Sequence, residues 1–223
     1  MMDNLKYNGS QDARTSLILK NLNEPQIQAA TIINGAVQVI AGAGSGKTRV
    51  IAARIAYLIS QGISPYNVLA LTFTNKAARE MKSRIAAFLG DVVAERIWAG
   101  TFHSIFARIL RYESQSIGYS RDFSIYDTED SRNLIKEIFK ELNINSKEFQ
   151  SASVHGYISK LKNELVSYQE FQDLAQNTYQ KTVATIYQYY QTNLKDNNAM
   201  DFDDLLLITL NLFENNQEVL AKY

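Results

Sequence analysis

Residues 41–48, AGAGSGKT, constrain this chain more than any other stretch. Gly42, Gly44 and Gly46 alternate with the small residues Ala43 and Ser45, so the backbone can turn tightly there and aim several N–H groups at one anion. Lys47 and Thr48 follow directly. The spacing fits the phosphate-loop pattern G-x-x-x-x-G-K-[ST], with Ala41 standing where that pattern has its first glycine. Such a loop needs a strand before it and a helix after it, so that the positive end of the helix faces the anion. Both are predicted. Residues 36–41 (AVQVIA) are short, β-branched and largely apolar, which reads as a buried strand. A helix starts near Lys47, with Val50, Ile51, Ile55, Leu58 and Ile59 at helical spacing. In such a loop Lys47 lies along the β- and γ-phosphates of ATP or GTP, and the Thr48 hydroxyl ligates Mg²⁺. These are the two residues on which catalysis would depend. A glycine-rich turn without a ligand is the plainer alternative, and the Gly-Lys-Thr ending argues against it. Several NTP-using classes share the loop, so binding alone does not establish hydrolysis.

The surrounding pattern predicts a parallel sheet flanked by helices. Asn23 can cap a helix with Pro25 in its first turn, running to about Ile33 and stopped by Asn34-Gly35. Residues 68–73 (VLALTF) read as a second strand. Residues 75–89 read as a helix with Ala78, Met81, Ile85 and Phe88 on one face, 97–99 as a third strand, and 101–112 as another helix. Beyond residue 112 the pattern is helical, over 131–142, 154–165, 182–194 and 203–213. Residues 115–200 therefore read as an all-helical insertion, and residues 1–21 as a poorly ordered arm.

Composition narrows the field. There are no cysteines and two histidines, which excludes a disulfide framework and a Cys-based zinc site. There is no secretory leader and no apolar run of the ~20 residues a bilayer requires, so no membrane role is expected and a cytoplasmic location is. The net charge of zero conceals an asymmetry. Residues 42–112 carry ten Lys/Arg against three Asp/Glu, whereas residues 113–223 carry ten against seventeen. Either the first segment faces a polyanion, or the two segments pair their charges in the fold.

With these residues in view, the chain resembles superfamily 1 DNA helicases of the UvrD, Rep and PcrA type over roughly residues 22–223. Leu22-Asn23-Glu24-Pro25-Gln26 resembles the helicase Q motif, and the resemblance implies that Gln26 reads adenine and so selects ATP. Ala41 matches the helicase form of the loop, as does Arg49 after Thr48. Leu71-Thr72-Phe73-Thr74-Asn75-Lys76-Ala77-Ala78 and Gly100-Thr101-Phe102-His103-Ser104 resemble two DNA-contact motifs. The resemblance therefore implies contact with single-stranded and duplex-junction DNA through Thr72, Phe73, Thr74, Asn75, Lys76, Thr101, Phe102 and His103. It further implies binding of ATP and Mg²⁺ through Gln26 and residues 41–49.

The implied fold is an α/β P-loop NTPase of RecA-like type. Residues 22–114 and 201–223 would form the first motor domain, with 115–200 as the helical insertion. The implied activity is ATP-driven 3′-to-5′ translocation and unwinding. Residues 123–127 and 200–206 resemble segments flanking the insertion. Among Asp201, Asp203 and Asp204, helix capping is expected rather than metal binding. No apolar strand ending in Asp-Glu is found, although a P-loop NTPase needs one to hold Mg²⁺ and orient water. The expectation is an N-terminal part of a longer helicase, hydrolysing ATP slowly by itself. The alternatives are another P-loop enzyme, such as a small-molecule kinase, or a non-enzymatic ATP- or DNA-binding module.

Overall fold

The structure is a computed structural model and describes residues 15–223. It is mixed α/β, with parallel strands and many helices, and divides into two compact units that meet in sequence between Ile105 and Phe106.

In the first unit, helix α1 (Glu24–Thr31) is held by a reciprocal cap. The Asn23 side chain accepts from the Gln26 N–H at 3.0 Å, and the Gln26 side chain accepts from the Asn23 N–H at 3.1 Å. Helix α2 (Lys47–Ser60) buries Val50, Ala52, Ala53, Ile55 and Ala56. Ala53 and Ala56 cluster with Ala30 of α1 and with Ile18, and the small side chains permit close helix approach. Ile18 is thus anchored, and residues 15–19 are helical, so this part of the expected arm is ordered. The rest of that arm, residues 1–14, lies outside the described residues.

Strands β1 (Leu69–Thr72) and β2 (Trp98–Thr101) run parallel, with Leu69 opposite Trp98 and Thr72 opposite Thr101. The crossover between them consists of α3 (Asn75–Leu89) and the single turn α4 (Asp91–Ala94), as parallel neighbours require. Met81 and Ile85 of α3 pack with Ala70 of β1, Ala99 of β2 and Ile55 of α2.

One predicted strand is corrected. Residues 36–41 form no strand, and the Ile40 side chain is 91 % exposed. A strand exists only within a ladder. Among the described residues the sheet holding β1 has β2 as its sole other member. The apolar pattern of 36–41 reports fitness for burial and says nothing about which backbone supplies the hydrogen bonds.

Helix α5 (Phe102–Tyr112) carries the chain across the boundary. The second unit has a two-residue parallel ladder, β3 (Ser124–Ile125) with β4 (Ala199–Met200). Around it stand α6 (Thr128–Glu141), α7 (Ser151–Asn163), α8 (Tyr168–Leu174), α9 (Thr178–Asp196), α10 (Phe202–Asn215) and α11 (Gln217–Lys222). The four helices expected here begin one to four residues earlier than the apolar spacing suggests. Asp127, Asn177 and Asp201 cap α6, α9 and α10 through their side chains. Helix α8, only seven residues long, is specified by a Ser167–Glu170 capping box rather than by periodicity. Ile135, Ile138, Val154, Ile158, Val183, Ile186, Tyr190 and Leu194 fill the core of α6, α7 and α9.

A buried charge cluster ties α7, α9 and α10 together. The Lys162 ammonium donates to Asp201 Oδ2 at 2.7 Å and to Asp204 Oδ1 at 2.8 Å, and all three side chains are at least 95 % buried. The Tyr190 hydroxyl donates to Asp201 at 2.9 Å, and the Gln191 amide to Asp204 at 2.9 Å. Asp201 and Asp204 also form the α10 capping box. The expectation of capping therefore holds for Asp201, while the buried ion pairs are an addition. The two carboxylates and desolvation shift Lys162 in opposite directions, and the carboxylates prevail, raising its pKa.

Lys162→Met should cost about 3–5 kcal/mol at neutral pH, because two carboxylates then stay buried without their cation. In that variant the carboxylates' folded pKa values rise above their unfolded values. Stability should then be partly regained as pH falls toward about 5, the reverse of the trend set by a salt-bridged carboxylate. Denaturant unfolding of both proteins at several pH values checks this, and a loss that does not vary with pH would contradict it.

Candidate nucleotide and nucleic-acid site

The phosphate loop is built as its residue types require. Gly44 and Gly46 hold φ of 78° and 86°, in the left-handed region where an L side chain is strained. The Lys47 ammonium folds back over the loop and donates to the carbonyls of Ala41 at 3.0 Å and Gly42 at 2.7 Å. Ser45 Oγ also donates to the Gly42 carbonyl, at 2.7 Å. Gly46 caps α2 without a side-chain hydrogen bond. The first-turn N–H groups of this helix, which have no intrahelical acceptor, are therefore not taken up by a capping side chain. An exposed ammonium, positive-φ glycines and a helix N-terminus meet in one place, and this donor set fits a polyphosphate. Ala43 lies exposed on the loop, Thr48 is half-buried in the first turn of α2, and Arg49 beside it is exposed. Arg49 lines a cavity of about 430 Å³ with Asn21, Arg84, Ala87 and Phe88.

Gln26 is brought to this loop across nineteen positions of sequence. Its Nε2 donates to the Ser45 carbonyl at 2.9 Å while its Oε1 serves the α1 cap. A Cβ on Gly46 would lie 3.1 Å from that Nε2, so the amide would have to give by a few tenths of an ångström, and the φ of 86° favours glycine on its own account.

A second group forms at the ends of β1 and β2. Their register sets Thr72 opposite Thr101, so the next residues, Phe73 and Phe102, emerge side by side with ring centroids 5.6 Å apart. Phe73 is 89 % exposed and so takes no part in the core. Thr74 caps α3 by accepting from the Ala77 N–H at 3.2 Å, and Asn75 and Lys76 lie exposed on the first turn. Thr101 is buried. Its hydroxyl accepts from the Ser104 N–H at 3.2 Å, and its carbonyl accepts from Ser104 Oγ at 2.9 Å. It therefore positions Phe102 and His103, both half-buried. Gly100 acquires a role that sequence reasoning missed. A Cβ there would sit 2.6 Å from Ser104 Oγ and 3.2 Å from Ile105. A glycine next to a capping threonine was the available signal.

The family model for the UvrD/REP helicase N-terminal domain matches residues 22–223. The chain belongs to this family. It is 49 % identical over 207 residues to a protein of Staphylococcus aureus strain Mu50 named ATP-dependent DNA helicase PcrA. It is 47 % identical over 207 residues to the protein of the same name in Staphylococcus epidermidis strain RP62A. Each match covers 92 % of this chain and 28 % of the relative, so this UvrD/REP domain spans just over a quarter of those proteins' length. The helicase resemblance seen in residues 22–26, 41–49, 71–78 and 100–104 is thereby established at the level of family.

Gly100→Ala should destabilise the first unit by about 1–3 kcal/mol, because the added methyl drives Ser104 Oγ off the Thr101 carbonyl and presses on Ile105. It should also displace the Phe102 ring. Thermal unfolding, with the Phe102 ring signals followed by NMR, checks both, and an unchanged melting temperature would contradict the steric argument.

Proposed function

We propose that this chain is the ATP-binding and DNA-contacting part of an ATP-dependent 3′-to-5′ DNA helicase. The observation that carries the reading is the parallel register of β1 and β2, which sets the exposed Phe73 beside the half-buried Phe102 in the same compact unit as the glycine-rich loop. Bound ATP supplies the phosphoanhydride energy for movement. Lys47 neutralises the β- and γ-phosphates, and Thr48 ligates Mg²⁺. Residues 41–46 cradle phosphate oxygens with backbone N–H groups, Gln26 reads the adenine edge, and Arg49 adds charge at its border. The loop backbone and the α2 N-terminus do this without a new fold of the chain.

Phe73 and Phe102 offer faces on which unpaired bases stack, and Thr72, Thr74, Asn75, Lys76, Thr101 and His103 frame them with polar and cationic groups for the phosphate backbone. The substrate is single-stranded DNA at a junction with duplex. The fold reading is a RecA-like motor domain formed by residues 22–114 and 201–223, with the helices of 115–200 as its insertion. A cytoplasmic place of work belongs to this reading; no helix among the described residues is long and apolar enough to cross a membrane.

Lys47→Ala should weaken ATP binding at least tenfold and leave affinity for oligothymidylate within about twofold, since one ammonium–phosphate contact is worth a few kcal/mol. Phe73→Ala should do the reverse, costing about 1–3 kcal/mol of single-strand affinity. Titrations of a fluorescent ATP analogue and a labelled oligonucleotide against both variants check the pair. The reading falls if the unaltered chain binds neither, or if Phe73→Ala leaves the oligonucleotide affinity unchanged.

A further inference from the structure

The second unit is acidic. Residues 106–223 carry twelve Lys/Arg against seventeen Asp/Glu. Against that background three of its arginines converge on one place. Arg108, Arg111 and Tyr112 lie on consecutive turns at the end of α5, and Arg121 comes from the turn before β3. The guanidinium carbons of Arg108 and Arg121 lie 5.8 Å and 5.5 Å from the centre of the Tyr112 ring. Arg111 holds the arrangement together. It stacks 4.4 Å over the buried Phe123 ring, and its Nη1 donates to the Arg121 carbonyl at 2.9 Å.

The outcome is a half-exposed phenol flanked by two exposed guanidiniums. The nearest carboxylates in sequence have partners of their own. Glu113 accepts from Lys222 at 2.6 Å and from Tyr223 at 2.7 Å, and Asp122 accepts from Ser120 at 2.5 Å and feels the charge of Arg111. The guanidinium fork matches phosphate oxygens in pairs, and a tyrosine face accepts any unpaired base. Each guanidinium gains a cation–π contact with the ring, but the two like charges repel each other, and a polyanion that meets them relieves that repulsion.

We propose that Arg108, Tyr112 and Arg121 form a further contact surface for single-stranded DNA, separate from the β1–β2 aromatic pair. The inference rests on the DNA reading above. Arginines here take backbone phosphates and Tyr112 takes a base or sugar, so the surface binds without regard to sequence.

The double variant Arg108→Gln/Arg121→Gln should bind oligothymidylate about tenfold more weakly than the unaltered chain. The slope of log K against log salt should become shallower by about 1.4, from about 0.7 for each lost phosphate. Arg108→Lys/Arg121→Lys should restore the slope, since charge is kept, but only part of the affinity, since the fork is lost. Tyr112→Ala should lose about fivefold or more with the slope unchanged. A hairpin duplex measured in parallel should respond less than the single strand to Tyr112→Ala. If the unaltered chain binds no DNA, the functional reading fails and this one with it. If Phe73→Ala weakens binding while the double glutamine variant keeps both affinity and slope, this inference alone is overturned. An equal response of duplex and single strand to Tyr112→Ala overturns the choice of single strand.

Discussion

The parallel register of β1 against β2 is the constraint from which the geometry of the candidate site follows. Thr72 opposite Thr101 fixes which residues leave the two strands together. A slip of one residue would reverse the side-chain faces and separate Phe73 from Phe102. The register is held by apolar contacts on the α3 face and by the caps just beyond each strand. Thr74 starts α3 and Thr101 starts α5. Phe102 is therefore the first residue of α5, and Phe73 sits in the two-residue bend between β1 and α3, so short connections on both sides limit how far the two rings can part.

Local signals in the sequence were the most legible. Asn23, Thr74 and Asp201 cap helices as their residue types suggest, because a cap is an interaction over three residues. The helix start at Lys47 and the crossover over 75–89 were equally readable from spacing. Residues 36–41 show the opposite case. Their composition suits a buried strand, yet strand formation is decided by a pairing partner that composition does not name. Lys162 is a second instance. Its partners Asp201 and Asp204 lie 39 and 42 positions away. Nothing in the local pattern distinguishes a lysine that will be buried from one that stays in solvent. Gln26 lies between these cases: its cap was legible from Asn23, whereas its bond to the Ser45 carbonyl, nineteen positions away, was not legible from either the local pattern or the resemblance.

The buried cluster and the phosphate loop use lysine in contrasting ways. Lys162 is sealed between two carboxylates, with Tyr190 and Gln191 filling their remaining acceptor sites. Such a cluster adds little net stability over an apolar core but penalises any packing that parts its members. Here it fixes α7, α9 and α10 against one another. Lys47 is exposed, and among the described residues its hydrogen-bond partners are two neutral carbonyls. A neutral carbonyl is a weaker partner for an ammonium than a carboxylate or phosphate. An arriving anion can therefore draw Lys47 away at small cost, whereas Lys162 cannot be drawn away without leaving buried charge behind.

The position of Gln26 bears on how adenine reading and loop shape can coexist. A side-chain amide offers two N–H donors and two acceptor lone pairs. The α1 cap takes one lone pair, and the Ser45 carbonyl takes one N–H. One donor and one acceptor are left, which is the complement that the N6 and N7 edge of adenine requires. The cap and the loop contact therefore do not compete with base reading; they orient the amide for it. They also make the amide a physical link from the start of α1 to the backbone just before Gly46. A base that rotates or pulls on Gln26 acts directly on the carbonyl of Ser45, whose hydroxyl and N–H share the Gly42 carbonyl with Lys47. Gln26, Ser45, Gly42 and Lys47 thus form one short hydrogen-bonded chain. On the proposed reading, the base and the phosphates would act on the same loop through it.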